Sequence, residues 1–460
     1  MSWTSKEAAI ATKGQVFSDW QGGKLVFDSR LIEAGDIFIA LPGAVSDGHD
    51  HVLSALEKGA NAAIVSRIPE GLNNKDKILL VDNTLDALLS MASHKRSKSK
   101  AKFIAVTGSV GKTSTKELLH LAFSNYGKVF ASRGNYNNFL GVPINLASLP
   151  DDAEYAIFEL GMNHAGEITP LSNMVKPHIA IITAVENIHR ANFDSIDDIA
   201  LAKAEIFDGL LPKSLVIINS LSNCYPLLLE KAKANLNIDK IISVGENSQI
   251  VSYEVNNNKT KANLNILGQA MAIDIDYILG VHQISNMITV LTCIACLGLN
   301  PLKSISALEG FKLPRGRGLV STIKVDNKQI TLIDDSYNAG PVSVKAALKN
   351  MRSYSGRKIA ILGDMGEMGP KSLEFHLALI DDIIANNIDK VICFGKQMAI
   401  MQDKLPKDKQ LGSYFDLKDL AKDLPDKLLA RDVLLIKGSF YLTRLYEFTK
   451  HLSEGTLHVL

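Results

Sequence analysis

The sequence predicts an α/β protein of three domains, the middle one a parallel sheet carrying a phosphate-binding loop. Three observations predict it. Between Phe103 and Asn125 a short apolar run, a glycine-rich loop and a helical pattern follow one another. On both sides of that segment, apolar runs ending in glycine or polar residues alternate with helical patterns, as parallel sheets require. Finally, the polar, basic stretch from His94 to Lys102 interrupts the alternation and marks a boundary. The expected domains are residues 1–98, 99–313 and 314–460.

In the first domain, Asp36 to Leu41, Ala62 to Val65 and Ile78 to Val81 read as strands, with helices from His51 to Gly59 and Leu85 to Ser93. The block Asp47-Gly48-His49-Asp50-His51 suggests metal, but its Asp-Gly is a turn signal and the turn reading is preferred. Ser29-Arg30 after Asp28 can hold a phosphate or form a plain surface loop. The run from His94 to Lys102 reads as a solvated linker.

The middle domain opens with Phe103-Ile104-Ala105-Val106, a run suited to a buried strand. Thr107-Gly108-Ser109-Val110-Gly111-Lys112-Thr113-Ser114 follows, and Leu118, Leu119, Ala122 and Phe123 fall at helical spacing. Gly108 and Gly111 can turn backbone N–H groups inward, and the helix start adds partial positive charge. Lys112 can reach β- and γ-phosphates, and the Thr113 hydroxyl suits Mg²⁺. Val106 stands where the usual pattern has its first glycine, so the loop is a shorter variant. A nucleoside triphosphate is the expected ligand.

Two further strands, ending near Glu159 and before His189, bring these residues to the same sheet end, where open parallel sheets gather ligands. Lys112, Glu159 and His189 are therefore expected to share one site. A helix opening with Ser195-x-x-Asp198 carries the apolar stripe Ile196, Ile199, Ile206, Phe207 and Leu210, with Lys203 near its middle. Such a lysine snorkels, pairs with an acid, or is capped by CO₂ as a carbamate that helps to hold a second Mg²⁺. Ile250 to Tyr277 reads as a hairpin or meander, and His282 to Leu297 as a helix whose Cys293 and Cys296 pack in a core.

The last domain repeats the alternation in a Rossmann-like, doubly wound pattern. Its strands end at Asp334-Asp335, Gly363-Asp364, Gly395-Lys396 and Lys437-Gly438-Ser439. Arg315-Gly316-Arg317-Gly318 lies at the junction, where closure can bring an arginine onto phosphates.

Composition narrows the partners. The chain has 460 residues, 46% hydrophobic and 22% charged, with a net charge of +1, unlike a general nucleic-acid binder. No run approaches membrane-span length, the N-terminus lacks a signal-peptide core, and four cysteines make no disulfide framework. The expectation is a cytoplasmic monomer that engages neither membrane nor nucleic acid.

Taken together, DSRLIEAGDIFIALPG, TGSVGKTSTKE, RGNYNNFLGVP, ELGMNHAGEI, AKAEIF, DDSYNAGPVSVKAAL, LGDMGEMG and KGS resemble the Mur ligase family along nearly the whole chain. The run Asp335 to Pro341, with Gly363-Asp364-Met365, resembles the member that adds D-Ala-D-Ala. The resemblance implies ATP-dependent amide formation between UDP-N-acetylmuramoyl-tripeptide and D-Ala-D-Ala through an acyl phosphate, with two Mg²⁺ ions. It implies that the first domain binds the UDP-substrate, and that the last binds the dipeptide and closes on ATP. Lys112 and Thr113 match the family's loop lysine and metal-binding hydroxyl, Glu159 and His189 its metal-binding acid and histidine, and Lys203 its carbamylated lysine. Asn286, Arg317 and Asp335 resemble ATP contacts. Ser29 and Arg30 resemble uridine-nucleotide contacts, Asn135, Asn137 and Asn138 substrate-path residues, and Asn338 and Ala339 the border of the dipeptide pocket. Gly340 and Gln283 depart from the family's usual asparagines. A sibling ligase, a folylpolyglutamate synthase and a non-catalytic nucleotide switch are the alternatives.

Overall fold

The computed structural model describes residues 3–43, 46–186, 192–256 and 259–459. Each of its three large sheets is built mainly from parallel strands. The first sets Leu25–Val26, Ile37–Ile39, Ala62–Val65 and Ile78–Leu80 in parallel, with Gln15–Val16 antiparallel at one edge. Successive strand side chains point to opposite faces. Accordingly Ile37, Ile39, Ile64 and Leu79 enter one core while Phe38, Ala63, Val65 and Ile78 enter another. Covering both faces makes these strands continuously apolar rather than alternating.

The middle sheet has nine strands. Lys102–Thr107 lies between Tyr155–Glu159 and Ile179–Ile182, each parallel to it. Beyond Tyr155–Glu159 is Val129–Ala131; beyond Ile179–Ile182 come Ser214–Asn219 and Ile238–Val244. The chain thus builds to one side of Lys102–Thr107 and then returns to build on the other. That reversal opens a crevice at the strand's C-terminal end, where the glycine loop begins. The antiparallel meander Ser248–Asn256, Lys259–Ile266 and Gln269–Ile275 completes the sheet, as its alternating sequence predicted.

The last sheet runs Leu319–Val325, Lys328–Asp334, Val433–Lys437, Lys358–Gly363, Lys390–Phe394 and Gln410–Tyr414, only the first strand antiparallel. Inserting Val433–Lys437 between Lys328–Asp334 and Lys358–Gly363 brings the strand ends Asp334, Lys437 and Gly363 side by side. No helix among the described residues is long and apolar enough to cross a membrane.

The stretch from His94 to Lys102 corrects the expectation of a solvated linker. The helix runs from Thr84 to Lys98, and Lys95 is buried with its ammonium 4.8 Å from the Trp3 ring and 2.5 Å from Asp151. The Arg96 guanidinium lies 3.9 Å from the Phe103 ring centre and donates to the carbonyls of Val175 and Lys176. Long basic side chains bury their stems against aromatic faces while their heads stay paired, so a polar run can seam two domains together.

Other local expectations have clear outcomes. His49 lies in a turn, its Nδ1 2.7 Å from Asp47 Oδ1 and its Nε2 accepting from the Ser66 amide, so both ring nitrogens are engaged. Cys293 and Cys296 sit on the helix Val281–Cys296 in a core, and burial raises both thiols above their usual range.

Beside the loop-bearing strand, Phe103 N–H donates to His178 Nδ1 at 3.0 Å, which requires an unprotonated nitrogen. Burial, with Lys102 and Arg96 nearby, lowers the His178 pKa from 6.5 to about 4. Between those values the unfolded chain binds the proton and the folded chain does not, so stability should fall as pH drops from 6.5 towards 4. Urea midpoints measured across that window should show the decline for the parent and a shallower one for His178→Gln; parallel declines would refute the assignment.

Candidate active site

The glycine loop is shaped by its surroundings. Thr107 Oγ1 donates to the Leu160 carbonyl at 2.8 Å and is fully buried. Its side chain therefore pins the strand end from which the loop departs. Gly108 takes φ +149°, and a Cβ there would come within 2.0 Å of Thr183 Oγ1. The Ser109 amide donates to the Ala184 carbonyl at 2.7 Å and its hydroxyl to the Glu186 carbonyl at 3.1 Å. Gly111, at φ +91°, opens the helix Lys112–Phe123 without a side-chain cap. The amides of that first turn, which bears Thr113 and Ser114, thus face the loop as an anion cradle. Lys112 curls back so that Nζ donates to the carbonyls of Gly108 (2.6 Å) and Ser109 (3.3 Å). Burial lowers its pKa and Arg317 lowers it further, while Glu159 pulls it up.

Glu159 closes the neighbouring strand and is 2% exposed. Its Oε1 accepts from Asn137 Nδ2 at 2.8 Å, whereas Oε2 is buried with no hydrogen-bond partner among the described residues. A buried carboxylate oxygen without a donor is costly, and a cation satisfies it. That oxygen suits a hard divalent ion, although among the described residues no group of three or more His, Cys, Asp or Glu side chains is gathered to hold one.

Lys203 lies on the helix Ile196–Ala204, whose start is closed by reciprocal Ser195 and Asp198 bonds as the sequence predicted. At 1% exposure its amine does not snorkel to water. Glu205, the nearest acid in sequence, uses its carboxylate on the amides of Gly166, Ile168 and Thr169. Burial, then repulsion from Lys112, pushes the Lys203 pKa well below its ordinary value. His189, the other expected member of this group, lies outside the described residues.

Two clefts meet here. One is lined by Ser109, Val110, Gly111, Ser114, Asn286, Arg317 and Asp335, together with the apolar Ile278, Val342, Ala346 and Leu435. The other, about 430 Å³, is lined by Lys112, Asn135, Asn137, Asn138, Glu159, Asn338, Ala339 and Phe440. Ser109, Arg317 and Asn338 border both. The Arg317 guanidinium lies 4.0 Å from the Tyr337 ring centre, and Asn135 Nδ2 donates across the domains to Tyr337 Oη at 3.0 Å. Lys437 Nζ donates to Asp335 Oδ2 at 2.6 Å and to the Asn338 carbonyl at 3.0 Å. Asn338 is exposed, while Ala339 is buried at the cleft wall.

Some expected site residues have other commitments. Asn138 Oδ1 accepts from the Gly141 amide at 2.9 Å and so caps a helix while lining the cleft. Ser29 and Arg30 line neither cleft: they form a surface turn in which the Arg30 guanidinium makes two bonds to Asp28, of 2.9 and 2.7 Å, and its amide a third of 3.0 Å. The adjacent Phe27 ring packs 5.5 Å from Tyr136, which joins that turn to the asparagine loop. The departures at Gln283 and Gly340 are locally accommodated. Gln283 Oε1 accepts from the Gly280 amide at 2.6 Å, and the Gly340 amide donates to Ser343 Oγ at 3.1 Å. Lys437 and Tyr337 were missed as site residues, although Lys437-Gly438-Ser439 and Asp335-Ser336-Tyr337 carried the signal of polar residues at a strand end.

A phosphate loop at a sheet reversal, a buried acid beside its lysine and a second α/β domain across the cleft define a multidomain P-loop nucleotide-binding protein. The chain belongs to the Mur ligase family: family models match residues 24–96 (Mur ligase family, catalytic domain), 106–294 (Mur ligase middle domain) and 321–440 (Mur ligase, glutamate ligase domain). It is 40% identical over 444 residues to the UDP-N-acetylmuramoyl-tripeptide–D-alanyl-D-alanine ligase of Rickettsia prowazekii, covering 95% of this chain and 97% of that one. It also matches a crystal structure of MurF from Acinetobacter baumannii with TM-score 0.82 and 29% identity, covering 98% and 99% of the two chains. MurF ligase from Thermotoga maritima, in complex with ADP, matches with TM-score 0.78 and 26% identity over 95% and 98%.

Proposed function

We propose that the protein uses ATP to join D-Ala-D-Ala to the terminal carboxyl group of UDP-N-acetylmuramoyl-tripeptide in peptidoglycan synthesis, releasing ADP and phosphate. One observation carries the reading beyond its relatives: Lys112 and the half-satisfied Glu159 share a cavity with the Asn338-Ala339 loop of the opposite domain. A carboxylate is a poor electrophile because oxide would have to leave. Transfer of the γ-phosphoryl group makes an acyl phosphate; the dipeptide amine then attacks the carbonyl carbon, and phosphate departs. Lys112 and Arg317 offset charge on the transferring group, Asp335 and Asn286 orient the nucleotide, and Asn135, Asn137 and Asn138 line the carboxylate's path. Mg²⁺ held by Thr113, Glu159 and His189, with a second ion assisted by a carbamylated Lys203, would supply electrostatic stabilisation. Enclosure between domains keeps water from the acyl phosphate.

In this reading residues 1–98 bind the UDP-substrate through Ser29 and Arg30, 99–313 bind ATP, and 314–460 bind the dipeptide beside Asn338 and Ala339 and close on ATP. The protein works as a cytoplasmic monomer, and its net charge of +1 suits neither nucleic acid nor an anionic membrane surface. With ATP and Mg²⁺, phosphate release should require both the nucleotide-tripeptide and D-Ala-D-Ala. Release indifferent to the dipeptide would overturn the assignment.

A further inference from the structure

We propose that Lys116 is a positioning residue that couples the phosphate-loop helix to the loop presenting the carboxylate substrate, so that nucleotide binding sets the geometry of that loop. The proposal deepens the ligase reading and rests on it for its kinetic arm. Lys116 lies one turn beyond Lys112 on the helix Lys112–Phe123, and its side chain is completely buried. Nζ donates to the carbonyls of Ser132 at 2.7 Å and Gly134 at 3.0 Å, and lies 2.9 Å from Glu117 Oε1. Two ammonium protons thus go to backbone carbonyls, with the Glu117 carboxylate beside them as counter-charge. A buried ammonium needs such pairing, which also fixes the position of its partners.

Both carbonyls belong to the segment linking Val129–Ala131 to the helix Gly141–Ala147. Ser132 Oγ accepts the Glu159 amide at 3.1 Å. Asn137 Nδ2 donates to Glu159 Oε1, and Asn135 Nδ2 donates to Tyr337 Oη in the opposite domain. One lysine thus fastens the nucleotide's helix to the segment that holds Glu159 and reaches the closing domain. Lys116 itself lines neither cleft, so it acts through its neighbours. A lysine that merely filled the core would change stability without separating the two substrates kinetically.

The test uses the full-length chain, with Lys116→Met to remove the donors and Lys116→Arg to keep them. Hydrogen exchange of residues 132–138 is followed with and without a non-hydrolysable ATP analogue and Mg²⁺. In the parent, nucleotide should slow exchange in that segment; no change would overturn the coupling even if Lys116→Met fails to fold. In folded Lys116→Met the protection should disappear. The nucleotide-tripeptide KM should rise at least about 10-fold while nucleotide affinity stays within about threefold, and Lys116→Arg should restore most of the difference. Protection that persists, or equal losses for both substrates, would overturn the proposal. The exchange arm needs only nucleotide binding, so it remains readable if the ligase assignment fails.

Discussion

Replacing Glu159 by glutamine is expected to reduce phosphate-releasing turnover by about 10³-fold, equivalent to roughly 4 kcal/mol of transition-state stabilisation. Glutamine keeps the volume and can still accept from Asn137, so the contact at 2.8 Å survives. It removes the negative charge from a position where one carboxylate oxygen is buried without a partner among the described residues. In the proposed mechanism that charge would draw a divalent ion to the phosphoryl group, and it opposes the lowering of the Lys112 pKa. The variant loses both effects together. Because the orphan oxygen contributes nothing favourable to the fold without a cation, the melting temperature without metal should stay within a few degrees of the parent. Two measurements decide the matter: single-turnover phosphate release, and stabilisation by Mg²⁺ in the presence of ATP. A variant retaining a tenth of parental turnover, or full Mg²⁺-dependent stabilisation, would remove Glu159 from the metal site.

The same pair of residues shows what a sequence discloses. Lys112 and Glu159 were legible because each follows a short apolar run, and parallel strands bring such ends to one edge whatever lies between them. Lys203 was legible because helical periodicity placed a charge in an apolar stripe, and the fold buries it there. Contacts made by long side chains across distant segments were not legible. Lys95 on Trp3 and Arg96 on Phe103 turned an expected linker into a helix packed between domains, since periodicity counts a lysine as solvated and ignores its stem. Lys116 was hidden likewise: its partners are backbone carbonyls, which any residue supplies. The Thr107 hydroxyl ties two strand ends together, a contact that its place in a motif does not disclose. Motif position indicates which loop forms; which face each side chain takes depends on packing.

Substituting alanine for Lys203 is expected to reduce turnover by about 10³-fold, and CO₂ explains why so large a loss can follow from an amine that takes no part in the chemistry as lysine. Burial and the nearby Lys112 charge push the Lys203 pKa well below its ordinary value, which favours the neutral, nucleophilic amine. Its nitrogen can attack the carbon of CO₂ and release one proton, giving an N-carboxylate of charge −1. The modification reverses the local electrostatics: a position that repels Lys112 as a cation attracts it as an anion, and gains two oxygens able to hold Mg²⁺. In the proposed mechanism the unmodified lysine would therefore be the inactive form. Stripping CO₂ at mildly acid pH should remove turnover, and bicarbonate should restore it in the parent but not in Lys203→Ala. Intact-protein mass measured under non-acidic conditions should show one added CO₂, absent from the variant. Undiminished turnover in rigorously CO₂-free buffer, or a Lys203→Ala variant with a tenth or more of parental activity, would mean that the neutral amine is a packing feature and that the second ion is held some other way.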